Sequence, residues 1–226
     1  KDTDGDGIPA PGDAQSGCGQ FLQKFVSDEI EVVNLAESGS TGEGLYNSAF
    51  KGVLANGEAG DYVLFECGYN DRNYSSQAKM KEALEKVVAE SRAKDMIPIL
   101  VTPNASAHDF KESVVWADTV VSVAQSTGAF LVDLSKLSYK YLSDKGIEWT
   151  KMNINIYYSG SSQDSLHSSF LGAYKFAEIV AQEIADQQAK GTKDSEGKTL
   201  DGIIINKNFS ITLTDSEGNA ITLQVK

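Results

Sequence analysis

Short apolar runs of strand length alternate along the chain with amphipathic stretches of helical length. The predicted strands are residues 31–36, 61–67, 96–101 and 129–133. Three of these runs are almost wholly apolar, which is typical of strands covered on both faces. Apolar side chains recur at helical spacing in residues 20–28, 76–94, 109–126 and 170–187. The alternation predicts an α/β domain, with a doubly wound, flavodoxin-like parallel sheet between two layers of helices.

Both ends of the chain depart from this pattern. The first sixteen residues hold no apolar strand, although a doubly wound domain normally opens with one, so we expect the first strand to be missing from the chain. Beyond a polar stretch, two alternating runs flank a turn and predict a β-hairpin. We therefore divide the chain into a main domain (1–189), a linker (190–198) and a hairpin annex or the start of a β-rich module (199–226).

Composition narrows the classes of partner. With 32 Asp and Glu against 20 Lys and Arg, the net charge is −12, which repels a phosphate backbone, so no nucleic-acid partner is expected. The apolar runs are too short or too interrupted to span a bilayer, and no signal peptide is visible. The two cysteines, Cys18 and Cys67, fit free thiols better than a single bridge.

One short segment carries the residues of a catalytic dyad. Asp164 stands three positions before His167, just ahead of a predicted helix, so its carboxylate can accept the imidazole Nδ1 proton and leave Nε2 as a base. These are two of the three groups of a hydrolytic triad. The alternative is that Asp164 caps the helix and His167 is only a polar residue of its first turn.

Two further segments place glycine and polar groups at the ends of predicted strands, where ligands of doubly wound sheets collect. In residues 67–71, Gly68 allows a sharp turn and the Asn70 amide can donate to an oxyanion. In residues 34–40, the N–H of Gly39 can face the same pocket. Each segment, taken alone, also fits an ordinary turn.

In this order, the segments resemble the blocks of the SGNH (GDSL-type) hydrolases, in particular the rhamnogalacturonan acetylesterase-like branch. The matching blocks are residues 17–22, 34–40, 68–71 and 164–173, with Thr102-Pro103 after a predicted strand. The resemblance covers about residues 1–188. It implies that His167 is the general base, that Asp164 orients it, and that Gly39 and Asn70 donate to the oxyanion.

The sequence departs from the family at three points. Cys18 stands where the family usually has Trp, Tyr69 stands where this branch usually has His, and the Gly-Asp-Ser-Thr nucleophile block is absent. Three places imitate that block: residues 12–14 end in Ala14, Ser16 has no strand before it, and Ser216 lies in a predicted hairpin turn. We therefore expect the nucleophile upstream of Lys1. A circularly permuted domain, with Ser216 beside His167, is the other arrangement.

The resemblance implies a serine esterase that removes acetyl groups from plant cell-wall polysaccharide of pectin or xylan type, outside the cell. Its partner is an acetylated polysaccharide or oligosaccharide, and no cofactor is required. Arg72 and Tyr69 are candidate substrate-binding residues: Arg72 follows Asn70-Asp71 and can meet a uronate carboxylate, and Tyr69 replaces the His of this branch at the substrate-facing wall. The alternative for Arg72 is an exposed arginine without such a role. The rival function is a non-catalytic carbohydrate-binding or scaffold module that kept the fold and lost the nucleophile, and a lipase or thioesterase is the alternative within the same class.

The opening of the chain has the spacing of a calcium loop. Carboxylates at loop positions 1, 3, 5 and 12, with glycine at position 6, are typical of an EF-hand-like loop. Two positions depart from that loop, since Pro9 stands at the usually apolar position 8 and position 12 is Asp in place of Glu. The alternative is a solvated acidic turn. The candidate ligands are Asp2, Asp4, Asp6 and Asp13.

Overall fold

The computed structural model describes residues 15–157 and 163–226. Its centre is a three-stranded parallel sheet in the order β1 (Tyr62–Glu66), β2 (Ile97–Val101), β3 (Phe130–Val132). Five residue pairs join β1 to β2 and three join β2 to β3. All five residues of β2 are buried, as expected for a strand with neighbours on both sides and helices on both faces. The predicted α/β class with a parallel sheet is confirmed.

Helices cover both faces of the sheet. One face packs against α3 (Ala49–Asn56), α5 (Gln77–Arg92) and α6 (Ala117–Thr127). The other packs against α1 (Leu22–Phe25), α7 (Leu134–Lys145) and α9 (Phe170–Ala189). The remaining helical elements are a 3-10 turn (Cys18–Gln20), α2 (Gly42–Asn47), α4 (Tyr69–Tyr74) and α8 (Ile147–Asn153). Within the described ranges, no helix is both long and apolar enough to cross a membrane.

The start of α9 is held in a fixed position against the backbone of Asn153 and Ile154. The Ser169 hydroxyl accepts the Gly172 N–H at 3.1 Å and donates to the Asn153 carbonyl at 2.6 Å. A Cβ at Gly172 would lie 2.3 Å from the Ile154 carbonyl oxygen, so only glycine permits this approach of helix to backbone. The strand that ends just before α9 is therefore anchored at its carboxyl end.

The predicted strand at residues 31–36 is wrong. No described strand pairs with these residues, and β1 has a described neighbour only on its β2 side. Val33 is 66% exposed and Leu35 is 43% exposed. The N–H of Val32 donates to the Gln23 side chain at 2.8 Å. A β-rich run forms a strand only beside a backbone partner, and the described residues supply none here.

Two predicted helices are shorter than expected. The helix predicted at residues 109–126 begins only at Ala117, because Trp116 has a left-handed backbone (φ 53°) and the Val114 N–H donates to the Ser135 hydroxyl at 2.9 Å. The helix predicted at residues 20–28 is reduced to α1. Val26 is extended and forms an antiparallel bridge with Ile205, which ends the helix.

The predicted hairpin is confirmed as β6 (Ile211–Thr214) and β7 (Ala220–Leu223). Among the described strands these two pair only with each other, so the hairpin supplies no strand of the parallel sheet. The Ser216 N–H donates to the Asn153 side chain at 2.7 Å, in a turn against α8. The permuted arrangement is therefore wrong. Leu223 is fully buried in the same core cluster as α9, and the domain boundaries stay a prediction.

Candidate active site

A second, antiparallel pair of strands presents the dyad. Strand β5 (Gln163–Ser168) pairs with β4 (Asn155–Tyr157). The Asp164 Oδ2 atom lies 2.5 Å from Nδ1 of His167, while Oδ1 accepts the N–H groups of Leu166 at 2.8 Å and His167 at 2.9 Å. Ser169, and not Asp164, caps α9. Three hydrogen bonds thus orient the carboxylate toward the imidazole.

The electrostatics of this contact favour an ionised Asp164. Partial burial acts against the charged form, but the hydrogen bonds from the His167 and Leu166 N–H groups and from the imidazole hold the pKa of Asp164 below its usual value. When Nδ1 carries the proton that faces Asp164, Nε2 has a free lone pair and can act as a base. Nε2 makes no hydrogen bond within the described part of the chain, and the side chain is 45% exposed. His167 is therefore accessible to a substrate.

The end of β1 turns sharply into helix α4. Gly68 has φ 143°, and a Cβ there would lie 2.7 Å from the Pro103 side chain, so glycine is required on both counts. The turn places Asn70 in the first turn of α4. Gly39 occupies another turn with positive φ (79°). Among the described residues, neither the Asn70 side-chain amide nor the Gly39 N–H takes part in a hydrogen bond, so both are free to donate.

Helix α4 is attached on two sides. The Tyr69 hydroxyl donates to the Asn104 carbonyl at 2.7 Å. On the other side, the buried Asp71 carboxylate accepts the Gly42 N–H at 2.9 and 3.0 Å. Burial raises the pKa of Asp71, and hydrogen bonds from the Gly42 and Gly68 N–H groups oppose that shift.

The loop after β2 connects α4 to the dyad. The His108 N–H donates to the Ser165 carbonyl at 2.9 Å, and the Ala107 N–H donates to the Asn155 side chain at 3.0 Å. The same Asn155 side chain donates to the His167 carbonyl at 3.3 Å. Together with the Tyr69 contact, these bonds join β5, this loop and α4 into one hydrogen-bonded rim.

The candidate substrate-binding residues lie at this rim. Arg72 Nη2 lies 3.2 Å from Nε2 of His108, and Nη1 lies 3.5 Å from the Asp109 carboxylate. The Arg72 side chain is 36% exposed. The Tyr69 hydroxyl is occupied by its bond to the Asn104 carbonyl, which leaves the ring face as the part of this side chain that can meet a ligand. Their role in substrate binding stays a prediction.

Sequence reasoning missed two features of the site. The first is the contact of Asp71 with Gly42, which is 29 residues away in sequence, so no local sequence pattern predicts it.

The second is Glu66, which ends β1 and whose carboxyl makes no hydrogen bond with any described residue. Burial raises its pKa to about 7 and raises the pKa of the Cys18 thiol to about 12. Both cysteines are free thiols.

The candidate calcium ligands Asp2, Asp4, Asp6 and Asp13 lie outside the described residues, so the calcium site stays a prediction. Within the described ranges, no cluster of three or more His, Cys, Asp or Glu side chains has the arrangement of a metal site.

Comparison with known proteins identifies two relatives from Bacillus subtilis (strain 168). YxiM, described as an uncharacterized esterase, is 28% identical over 195 residues, which are 81% of this chain and 50% of YxiM. YesY, described as a probable rhamnogalacturonan acetylesterase, is 26% identical over 188 residues, which are 76% of this chain and 84% of YesY. No protein-family model matches the sequence.

The fold agrees with the sequence relationship. The crystal structure of the YxiM protein superposes with a TM-score of 0.69 at 28% identity, over 79% of this chain and 52% of that one. The chain thus spans about half the length of YxiM. The relatives, the shared fold and the ordered sequence blocks support the same assignment. These similarities support a place for the chain in the SGNH (GDSL-type) hydrolase superfamily.

Proposed function

We propose that this chain forms most of the catalytic domain of a serine esterase, a carbohydrate acetylesterase that removes acetyl groups from plant cell-wall polysaccharide of pectin or xylan type. The observation that carries the proposal is the Asp164–His167 contact of 2.5 Å, with Nε2 accessible. The Asn70 amide, which has no hydrogen-bond partner among the described residues and lies on a helix joined to the same rim, supports it. The printed names of YxiM and YesY agree with an esterase.

In the proposed mechanism, a serine Oγ attacks the acetyl carbonyl carbon while Nε2 of His167 takes its proton. Asp164 stabilises the imidazolium that forms. The Gly39 N–H, the Asn70 amide and the N–H of the serine donate to the oxyanion of the tetrahedral intermediate. The imidazolium then protonates the sugar oxygen as its bond to the acetyl carbon breaks, which releases the sugar hydroxyl, and water releases acetate from the acyl-enzyme by the same route. Each proton moves through His167, so the chemistry requires no cofactor.

We place the nucleophilic serine on a strand outside the described residues, expected upstream of Lys1, that pairs with the open edge of β1. Two observations support this placement. Strand β1 has a described neighbour on one side only, and residues 31–36 pair with no described strand and expose Val33 and Leu35. A strand paired beside β1 would cover apolar surface and bring its carboxyl end to the turn that holds Asn70.

A relative's printed name and one cationic side chain support the proposed substrate class. YesY is described as a rhamnogalacturonan acetylesterase, and this chain resembles that branch in its ordered blocks. Arg72 at the rim gives a carboxylate-bearing sugar a cationic partner in a protein of net charge −12. An extracellular polysaccharide implies a secreted protein. A non-catalytic carbohydrate-binding module on the same fold is the competing function.

Acetate release from a panel of substrates tests the proposed function. The full-length protein is incubated with acetylated rhamnogalacturonan, acetylated homogalacturonan, acetylated xylan and a long-chain p-nitrophenyl ester. We expect acetate release from at least one polysaccharide at a rate well above hydrolysis of the long-chain ester. Preference for the long-chain ester would indicate a lipase, and binding to polysaccharide without hydrolysis would indicate the non-catalytic module.

A further inference from the structure

We infer that Asp71 is a positioning residue of the oxyanion hole, which fixes the turn that carries Gly39 relative to the helix that carries Asn70. The inference rests on the proposed function. Asp71 is fully buried, and both of its carboxylate oxygens accept the Gly42 N–H, at 2.9 and 3.0 Å. The bond joins two segments that are 29 residues apart in sequence.

The geometry of α4 explains why this bond controls the direction of Asn70. Successive residues of a helix point about 100° apart around its axis. Tyr69 is bound to the loop after β2 on one side, and Asp71 is bound to α2 on another. Asn70 lies between these two attachments, and its amide has no hydrogen-bond partner in the part of the chain that the structure describes. Loss of either attachment would leave this short helix free to rotate and to redirect the Asn70 amide.

Gly42, which donates its N–H to Asp71, is also held in a fixed position. Gly42 is the first residue of α2, three positions after Gly39, and Thr41 caps this helix by accepting the Gly44 N–H at 3.1 Å. A Cβ at Gly42 would lie 2.9 Å from the Cys67 sulfur and 3.4 Å from an Asp71 oxygen. The start of α2 is therefore packed directly against the end of β1 and against the Asp71 carboxylate.

The Gly39 turn is linked to the same helix. The Ser40 N–H donates to the Glu37 carbonyl at 3.4 Å, and the Ser48 hydroxyl donates to the Glu37 side chain at 2.7 Å. A displacement of α2 would thus carry the turn, and its free N–H, with it. Oxyanion stabilisation falls steeply when a donor is misplaced. Asp71 touches neither substrate nor oxyanion in this account and acts only through the two donors.

A double-mutant cycle in the full-length protein separates positioning from general stability. We expect Asp71→Ala to lower kcat for p-nitrophenyl acetate by about 10- to 100-fold, with KM changed by less than about 3-fold. Asn70→Ala should cause a loss of similar size. The double variant should lose much less than the product of the two single losses, because both changes disable the same group of donors. Asp71→Asn keeps one acceptor oxygen and should recover most of the activity.

Asp194 provides the matched control. It is buried like Asp71, and its Oδ1 accepts two backbone N–H groups, of Glu196 and Lys198, each at 2.9 Å. These bonds lie in the segment after α9 and not among the active-site loops. Asp194→Ala should lower the melting temperature and leave kcat unchanged. An unchanged kcat in Asp71→Ala, or a double variant that loses the full product, would overturn the inference.

Hydrogen exchange by mass spectrometry gives a readout that does not depend on catalysis. The peptide covering residues 37–45 should exchange faster in Asp71→Ala, and less so in Asp71→Asn, while Asp194→Ala should leave it unchanged. Unchanged exchange in Asp71→Ala would overturn the inference even in an active esterase. Faster exchange in a protein without any esterase activity would support the anchor but contradict the proposed function, and with it the assignment of an oxyanion hole.

Discussion

Replacing His167 with alanine in the full-length protein is expected to lower kcat/KM for p-nitrophenyl acetate by about 10³-fold or more. The imidazole is the base that accepts the serine proton, and its Nδ1 is already held by Asp164 at 2.5 Å. The other histidine, His108, has its Nε2 within 3.2 Å of Arg72 and cannot substitute as the base. Initial rates, corrected for spontaneous hydrolysis, measure the loss.

His108→Ala is the matched control for this change. It removes the second imidazole but keeps the backbone bond to Ser165, so activity should stay within a few-fold of the wild type. Asp164→Asn should cost less than His167→Ala, because the imidazole remains and loses only its orienting carboxylate. Near-wild-type turnover by His167→Ala would refute the dyad.

Glu66→Gln is expected to stabilise the protein at pH 8 and to have little effect at pH 5. Burial raises the pKa of Glu66 from its ordinary value of 4.5 to about 7. Between these two values the folded state keeps a proton that the unfolded chain releases, so the stability of the wild type falls as pH rises from about 4.5 to about 7. This loss of folding stability persists above pH 7 and amounts to at most about 3 kcal/mol. Glutamine does not ionise, so the Glu66→Gln variant does not suffer this loss.

Melting temperatures at the two pH values measure this effect. Glu148→Gln serves as the control, because the Glu148 side chain is 79% exposed and pairs only with Lys151 on the surface of α8. The melting temperature of the Glu148→Gln control should not rise comparably at pH 8. A Glu66→Gln variant with the same change in melting temperature at both pH values would show that the carboxyl is ionised in the folded protein at pH 5.

The parallel sheet was predictable because its strands are continuous apolar runs set between amphipathic helices. The runs at 61–67, 96–101 and 129–133 contain β1, β2 and β3, and each predicted end lies within one residue of the observed end. The run at 31–36 has similar residues but forms no strand, because strand formation depends on a neighbour and not on composition. The hairpin was predictable because its turn and both of its strands are adjacent in sequence.

The candidate site was predictable only where its contacts are local. Asp164 and His167 are three residues apart, so the spacing alone suggested their contact. The bond from Gly42 to Asp71 joins distant segments, and nothing in either segment indicates the other. The hydrogen bond between the His108 N–H and the Ser165 carbonyl could not be predicted for the same reason.

Covalent labelling of the full-length protein tests the central claim most directly. A fluorophosphonate reacts with a serine that a neighbouring histidine activates, and peptide mass spectrometry identifies the modified residue. We predict a single labelled serine, outside the described residues and at the end of a strand, with labelling lost in His167→Ala and esterase activity lost in step with labelling. A labelled serine whose reactivity does not depend on His167, or an active esterase that is not labelled, would contradict it.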